Sequence, residues 1–341
     1  MSSTALADVP AEHPFAPYVR ILGKGKSGTR SLTRAEARSA FAMILRDEVE
    51  DLQLGAFLML LRVKEESPEE MAGFVDACRE VMMPPPPAGA ADLDWSSYAG
   101  KKHQHPWYLL AILLLNQAGH RVFIHGAGGH TSGRLYTDQA MAQLGLPVAQ
   151  NWQQVAGQLE RERLSHLSLE HFCPRLYDIM QFKPVLGLRS PVNSFARMLN
   201  PLAAPASIQS IFHPAYASLH CEVDRLRAQP ASLVFKGDSG EVELKPQART
   251  RLLFQRAGAA HEMDFARHLP ERVAPVAEPS VEPLRALWRG TANDHYGTLA
   301  TLGTCAAALM LLHPALNQAA ALVEAEKLWQ QRDRERLPSC P

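Results

Sequence analysis

The chain has 341 residues, enough for one large domain or two smaller ones, and its 46% hydrophobic and 21% charged content is that of an ordinary folded chain. Thirty-five Lys+Arg balance 35 Asp+Glu, so global charge gives no reason to expect nucleic acid or membrane. Any polyanion site has to come from a local basic cluster.

Residues 1–83 read as an N-terminal helical domain. "LTRAEARSAFAMILRDEV" opens on Thr33 with Glu36 three positions on, a capping-box pattern, and Ala37, Phe41, Ile44 and Leu45 recur at helical spacing. "EDLQLGAFLMLLRVK" follows, then "SPEEMAGFVDACREVM" with Ser67 as N-cap and Pro68 at the first helical position. "PPPPAGAAD" (84–92) breaks all periodicity and reads as a linker or hinge. Residues 93–341 then alternate helices with short apolar strands, the pattern of an α/β domain with a mainly parallel sheet. "WYLLAILLLNQAG" predicts a buried helix ending at Gly119, "HRVFIHG" a strand, and "TDQAMAQLG" a helix capped by Thr137 and stopped by Gly145. Strands are predicted at "SIQSIFH" and "ASLVFKG", a hairpin-like pair in "GEVELKPQARTRLLF", and long helices near 291–312 and 314–336.

The cysteines (78, 173, 221, 305 and 340) are odd in number and lack C-x-x-C spacing, so they suggest neither a disulfide framework nor structural zinc. The first residues lack the basic start and apolar stretch of a signal peptide, and 107–119 is too short to span a bilayer. These features predict a reduced, cytoplasmic protein.

"GKGKSG" (23–28) satisfies G-x-G-x-x-G literally. A dinucleotide fingerprint needs a strand before it and an acidic residue about 20 further on. Here "PYVRIL" reads as easily as a helix end, and Arg20 stands where a P-loop needs its leading glycine. The segment is a solvated loop or a basic arm of Lys24, Lys26 and Arg30. His103, His105, His120, His125 and His130 lack the i, i+4 spacing of a helical metal pair, so no metal site is expected. "KGDSGEVE" (236–243) reads as a turn. "FIHGAGGHTSGRLYT" (123–137) places glycines between a strand and a helix, a shape suited to holding phosphate through backbone N–H groups.

From that loop onward the chain resembles the anthranilate phosphoribosyltransferase family. "AGHRVFIHGAGGHTSGRLYTDQAMAQLGLPV", "HFCPRLYDIM" and "LGLRSPVNSFARMLNPLAAP" are similar to three of its motifs. The resemblance implies a small helical domain on a larger α/β domain, the segment near 170–190 packing with the helices, and a homodimer through the N-terminal helices. It also implies phosphoribosyl transfer using Mg and phosphoribosyl pyrophosphate, and three elements of that chemistry are altered. The family's glycine-rich pyrophosphate loop corresponds to "SYAGKKHQHPWYLL", which keeps Gly100 and puts Lys101, Lys102 and His103 in the remaining positions. Its K-H-G-N becomes Ile124-His125-Gly126-Ala127, and its acidic metal-binding turn becomes Ser239-Gly240-Glu241-Val242-Glu243. One metal carboxylate is therefore valine, while Glu243 survives. Losing one positioned donor costs about 10²–10³ in rate, and an apolar side chain supplies none.

Gly100, His125, Gly126, Gly128, Gly129, Arg189 and Glu243 are accordingly expected to form a vestigial substrate cleft with no catalytic residues, metal or cofactor. "YVRILGKGKSGTRSLTRAEAR" and "DWSSYAGKKHQHPWYLLAILL" resemble the YbiB-type relatives of the family, which the resemblance implies bind nucleic acid. The expected function is non-catalytic DNA or RNA binding with little sequence preference. The expected phosphate contacts are Lys24, Lys26, Arg30, Lys101, Lys102, Lys183, Arg189, Arg197, Arg249 and Arg251. The alternative is a divergent phosphoribosyl- or glycosyltransferase with Mg and phosphoribosyl pyrophosphate.

Overall fold

In the computed structural model the described residues are 11–25, 27–82 and 89–337. Much of the linker expected at 84–92 lies outside them, as does Lys26. Four helices come first: α1 (Ala16–Gly23), α2 (Arg34–Leu45), α3 (Asp51–Lys64) and α4 (Pro68–Val81). The Thr33–Glu36 capping box closes reciprocally, and Ser67 with Glu70 builds a second one at α4. "PYVRIL" is inside α1, so a helix and not a strand leads directly into "GKGKSG", which removes the context a dinucleotide loop requires.

The α/β domain runs β1 (Leu93–Ser97), α5 (Tyr108–Gln117), β2 (Val122–Gly126), α6 (Thr137–Leu144), β3 (Val148–Ala149), α7 (Trp152–Glu162) and β4 (Leu164–Ser168). A string of short helices follows: α8 (Leu169–Phe172), α9 (Pro174–Met180), α10 (Lys183–Leu186) and α11 (Val192–Phe195). The chain then returns to the sheet with β5 (Ala206–Ile211), α12 (Tyr216–Leu226), β6 (Ala231–Lys236), β7 (Thr250–Arg256) and β8 (Ala259–Phe265). It ends with α13 (Glu282–Arg289), α14 (His295–Leu312) and α15 (Gln318–Gln330).

The eight strands form one sheet in the order β3-β4-β2-β1-β5-β6-β7-β8, parallel through β6 and antiparallel for the last two. The central parallel strands are buried on both faces, β2 and β6 as largely apolar runs and β1, β4 and β5 with polar residues inside the sheet. One core lies between the sheet and α5, α13, α14 and α15. The other joins the N-terminal helices to the opposite sheet face and to residues 172–199, where Phe195 packs against Phe41 and Phe74. α14 is apolar and long enough to cross a bilayer, but 78% of it is buried in this core, so it serves as the central helix of the packing.

Two expectations need correction. The hairpin lies at β7–β8, not within 240–254, because Glu241–Lys245 is drawn into the site described below. The N-cap of α6 is Tyr136 and Thr137 is its first helical residue, its hydroxyl committed to Ser97 and Tyr108.

Candidate functional site

In an open α/β sheet ligands bind beyond the carboxyl ends of the strands, where successive connections depart in opposite directions. Here β1 lies between β2 on one side and β5 on the other, so the segment after β1 faces that crevice. Three constellations meet there.

The first follows β1 directly. The backbone turns at Gly100 (φ +68°), and Lys101 bridges to Leu135 in an isolated antiparallel pair. The turn 237–243 folds against it, and a Cβ at Gly237 would stand 1.7 Å from the Glu241 carbonyl oxygen, so only glycine fits. This closure delivers three carboxylates to the end of β1. Glu241 Oε1 accepts from the amides of Ala99 and Gly100, both at 2.6 Å, and its Oε2 accepts from the Ser97 hydroxyl at 2.6 Å. The Lys101 ammonium is fully buried, bonded to Asp238 and, at 2.5 Å, to Glu243 Oε1. Glu243 Oε2 accepts the Tyr108 amide at 2.9 Å, and Lys245 reaches Asp238 at 3.0 Å.

Electrostatics follow from this packing. Burial works against the Lys101 charge, but Glu243 and Asp238 outweigh it and raise its pKa above the ordinary lysine value. Burial raises the Glu243 carboxyl to about 7 in spite of Lys101. Asp238 goes to about 2, since Lys101 and Lys245 overcome its burial.

The second constellation is the glycine loop after β2. Gly126 is required there, since a Cβ would sit 2.0 Å from the Ser97 carbonyl oxygen. The space beside Gly126, Ala127 and Gly128 is only about 170 Å³, and Asp138 and His166 line it. A Cβ at Gly128 would lie 3.4 Å from Asp138 Oδ2, so a carboxylate faces the backbone where a phosphate would need donors. His125 is a core residue: its ring stacks on Phe123, its Nδ1 is 2.7 Å from the Tyr98 hydroxyl and its Nε2 3.4 Å from Asp94. The loop keeps its glycines without a free anion cradle.

The third is an open cleft of about 730 Å³ between the helical domain and the β5–α12 connection. Arg62 from α3, Arg189 and Arg197 line it, with Asn193, Phe212, His213 and Tyr216. Arg62 is 3.4 Å from the Tyr216 hydroxyl, Arg189 donates to Thr131 at 3.2 Å, and Arg197 donates to the Gly240 carbonyl at 2.9 Å. Arg134 stands nearby, donating to the carbonyls of Ala99 and Gly100. Among the described residues none of these four arginines forms an ion pair with a carboxylate. The excess of positive charge shows in His130, which burial pushes down to about 4, with Arg189, Arg197 and Arg134 adding to the effect. Phe212 is 51% exposed at the rim, its ring packed edge-on against His213 and lining the cleft with the arginines.

The ten basic residues expected to contact nucleic acid are thus dispersed. Lys101 is buried and cannot reach a phosphate. Arg30 is bidentate to Glu36, Arg249 is bonded to Asp264, and Arg251 pairs with Glu262 at 2.8 Å. Lys24, Lys102 and Lys183 are exposed, and Arg189 and Arg197 share the cleft. Of the expected vestigial cleft, Gly100 and Glu243 join the Lys101 cluster, Gly126, Gly128 and Gly129 belong to the loop, and Arg189 lines the arginine cleft while bonding the loop at Thr131. Sequence reading missed Asp238 and Glu241, hidden in what looked like a plain turn, and Arg62 and Arg134, single cations in unrelated segments. The run of acids at 238, 241 and 243 was the available signal.

Residues 17–82 match the family model for the glycosyl transferase family, helical bundle domain. An anthranilate phosphoribosyltransferase of Methylocella silvestris is 30% identical over 253 residues, 72% of this chain and 70% of that protein. The chain belongs to the anthranilate phosphoribosyltransferase family. It is also 27% identical over 241 residues to the uncharacterized protein YbiB of Escherichia coli, covering 68% of this chain and 73% of that protein. The family fold is shared with the anthranilate phosphoribosyltransferase of Thermus thermophilus, at a TM-score of 0.76 and 20% identity over 92% of this chain and 94% of that one. It is shared equally with the Saccharomyces cerevisiae enzyme in complex with PRPP and Mg, at 0.76 and 16% over 94% of each.

Mg and phosphoribosyl pyrophosphate, which the family implies, do not fit the residues present. The carboxylates that would hold the cation are neutralised by Lys101, and the amides that would cradle pyrophosphate already bind Glu241. No step of transfer is derived through that group.

Proposed function

We propose that this protein is a divergent phosphoribosyl- or glycosyltransferase relative that takes a phosphate- or carboxylate-bearing ligand in its arginine cleft. Any transfer it performs runs without a metal at Asp238 and Glu243. The observation that carries this reading is the convergence of Arg62, Arg189 and Arg197 on one cleft with no carboxylate opposite them. Guanidinium forks match phosphate and carboxylate oxygens in geometry as well as charge. Family membership supports a ribose-phosphate compound, and Phe212 and Tyr216 offer faces for a flat ring. We further place the protein in the cytoplasm, as a homodimer.

A second reading is single-stranded nucleic acid in the same cleft. Its support is the exposed Phe212 ring among arginines, the pairing of stacking platform and cation that sequence-tolerant binders use.

One titration series tests both. Calorimetry with phosphoribosyl pyrophosphate and with a 5′-mononucleotide is expected to show binding that is indifferent to Mg or chelator. Arg189→Ala should weaken it about 10–100-fold, the effect of losing a charged hydrogen bond. An oligonucleotide that binds more tightly, with log affinity falling about 0.7 per phosphate contact against log salt, would move the conclusion to the second reading. Binding that requires Mg, or no binding by any of the three, would overturn the proposal.

A further inference from the structure

We propose that Lys101 and Glu241 are built-in replacements for a divalent cation and its anion, holding the β1 crevice shut from within. Two carboxylate oxygens, from Asp238 and Glu243, converge on one nitrogen, and all three side chains are buried. Two carboxylates converging in a water-poor site need a shared proton, a cationic side chain or a metal ion between them, because two unpaired buried negative charges repel and are poorly solvated. Here the demand is met by an ammonium carried on the chain itself. On the neighbouring turn Glu241 plays the opposite part, lodging its carboxylate on the consecutive amides of Ala99 and Gly100, which form an anion nest. Lys101 and Glu241 are opposite in sign and oppositely seated, the cation on carboxylates and the carboxylate on amides, and both contacts run between residues 97–101 and 238–243.

Two consequences follow. The segment after β1 and the acidic turn are tied into one body, whatever the arginine cleft holds. And the carboxylates of Asp238 and Glu243 form a cation site that Lys101 keeps filled. Removing the ammonium therefore uncovers a metal site in a protein that otherwise has no room for one there.

Mn²⁺ binding to the full-length protein, followed by electron paramagnetic resonance, tests this. The native chain is expected to bind at least tenfold more weakly than Lys101→Ala, and adding Glu243→Gln to that variant should abolish the gain. If Lys101→Ala does not fold alone, Mn²⁺ in the refolding buffer is expected to restore it. Lys101→Gln, one atom shorter but still carrying N–H donors without charge, serves as the second folded host. A native protein that binds Mn²⁺ as tightly as either variant would overturn the proposal. So would a folded Lys101→Ala or Lys101→Gln that binds no more than the native chain.

Discussion

His220 sits beneath the arginine cleft, fully buried, with Nδ1 2.9 Å from Gln209 Oε1. Gln209 in turn donates to both oxygens of Asp224. Burial, reinforced by Arg197, pushes the imidazole down to about 3 from an ordinary 6.5. Between those values the unfolded chain carries a proton that the native chain refuses. The stability this residue supports is therefore present above pH 6.5 and is lost as pH falls toward 3, by up to about 1.4 kcal/mol per pH unit. In His220→Gln that dependence is removed. Urea unfolding at several pH values should show the native protein losing about 1–2 kcal/mol relative to the variant between pH 6.5 and 5. Parallel curves would mean that His220 titrates normally. Legibility at this scale was poor for a physical reason. Lys101 looks like any surface lysine in a string of basic residues, and its burial depends on carboxylates more than 130 positions away. Arg189 stands out in the sequence as the cation of an "LGLR" motif, but its surroundings come from elsewhere: Thr131, 58 positions away, and Arg62 and Phe212 across the cleft.

Elements were more legible than residues wherever local rules dominate. The capping boxes at Thr33 and Ser67 mark α2 and α4 because reciprocal hydrogen bonds form within four residues. β1 carries polar Asp94, Ser96 and Ser97 inside the sheet, so neither alternation nor an apolar run marks it; its place comes from parallel pairing with β2 and β5. The packing of α2 on α4 is a case where a weak local signal conceals a tight contact. Gly73 lies mid-helix in α4, where helix propensity alone favours alanine by about 1 kcal/mol. Yet a Cβ there would stand 2.4 Å from the Arg34 carbonyl oxygen and 2.8 Å from the Ala37 methyl. Backbone cannot yield as a side-chain tip can, so the helices would have to separate. Gly73→Ala is expected to destabilise by about 1–3 kcal/mol despite its better propensity, measured by thermal or urea unfolding. A stabilised variant would show that the two helices slide apart at no cost.

At the scale of the molecule, the helical domain has one face that the described residues do not cover. α2 and α4 bury their apolar residues against each other and against α12 and Phe195, and α1 covers the inner side of α3. The outer side of α3 leaves Leu52 88% exposed and Val63 83% exposed, with half-buried Met59 between them at helical spacing and Gly55 open to solvent. Apolar side chains in a row on a helix otherwise shielded on one side are what a two-fold partner would cover, and a small residue between them lets another helix approach. Arg62 lies one residue from Val63 and opens into the cleft, so a second copy seated on α3 would border the ligand site. Leu52→Glu with Val63→Glu places charge on that row without touching the core. Light scattering at micromolar concentration is expected to give two chains per particle for the native protein and one for the double variant, with unchanged unfolding of the single chain. A native protein that is already a monomer, or a double variant that remains a dimer, would show that the pairing surface is not on α3.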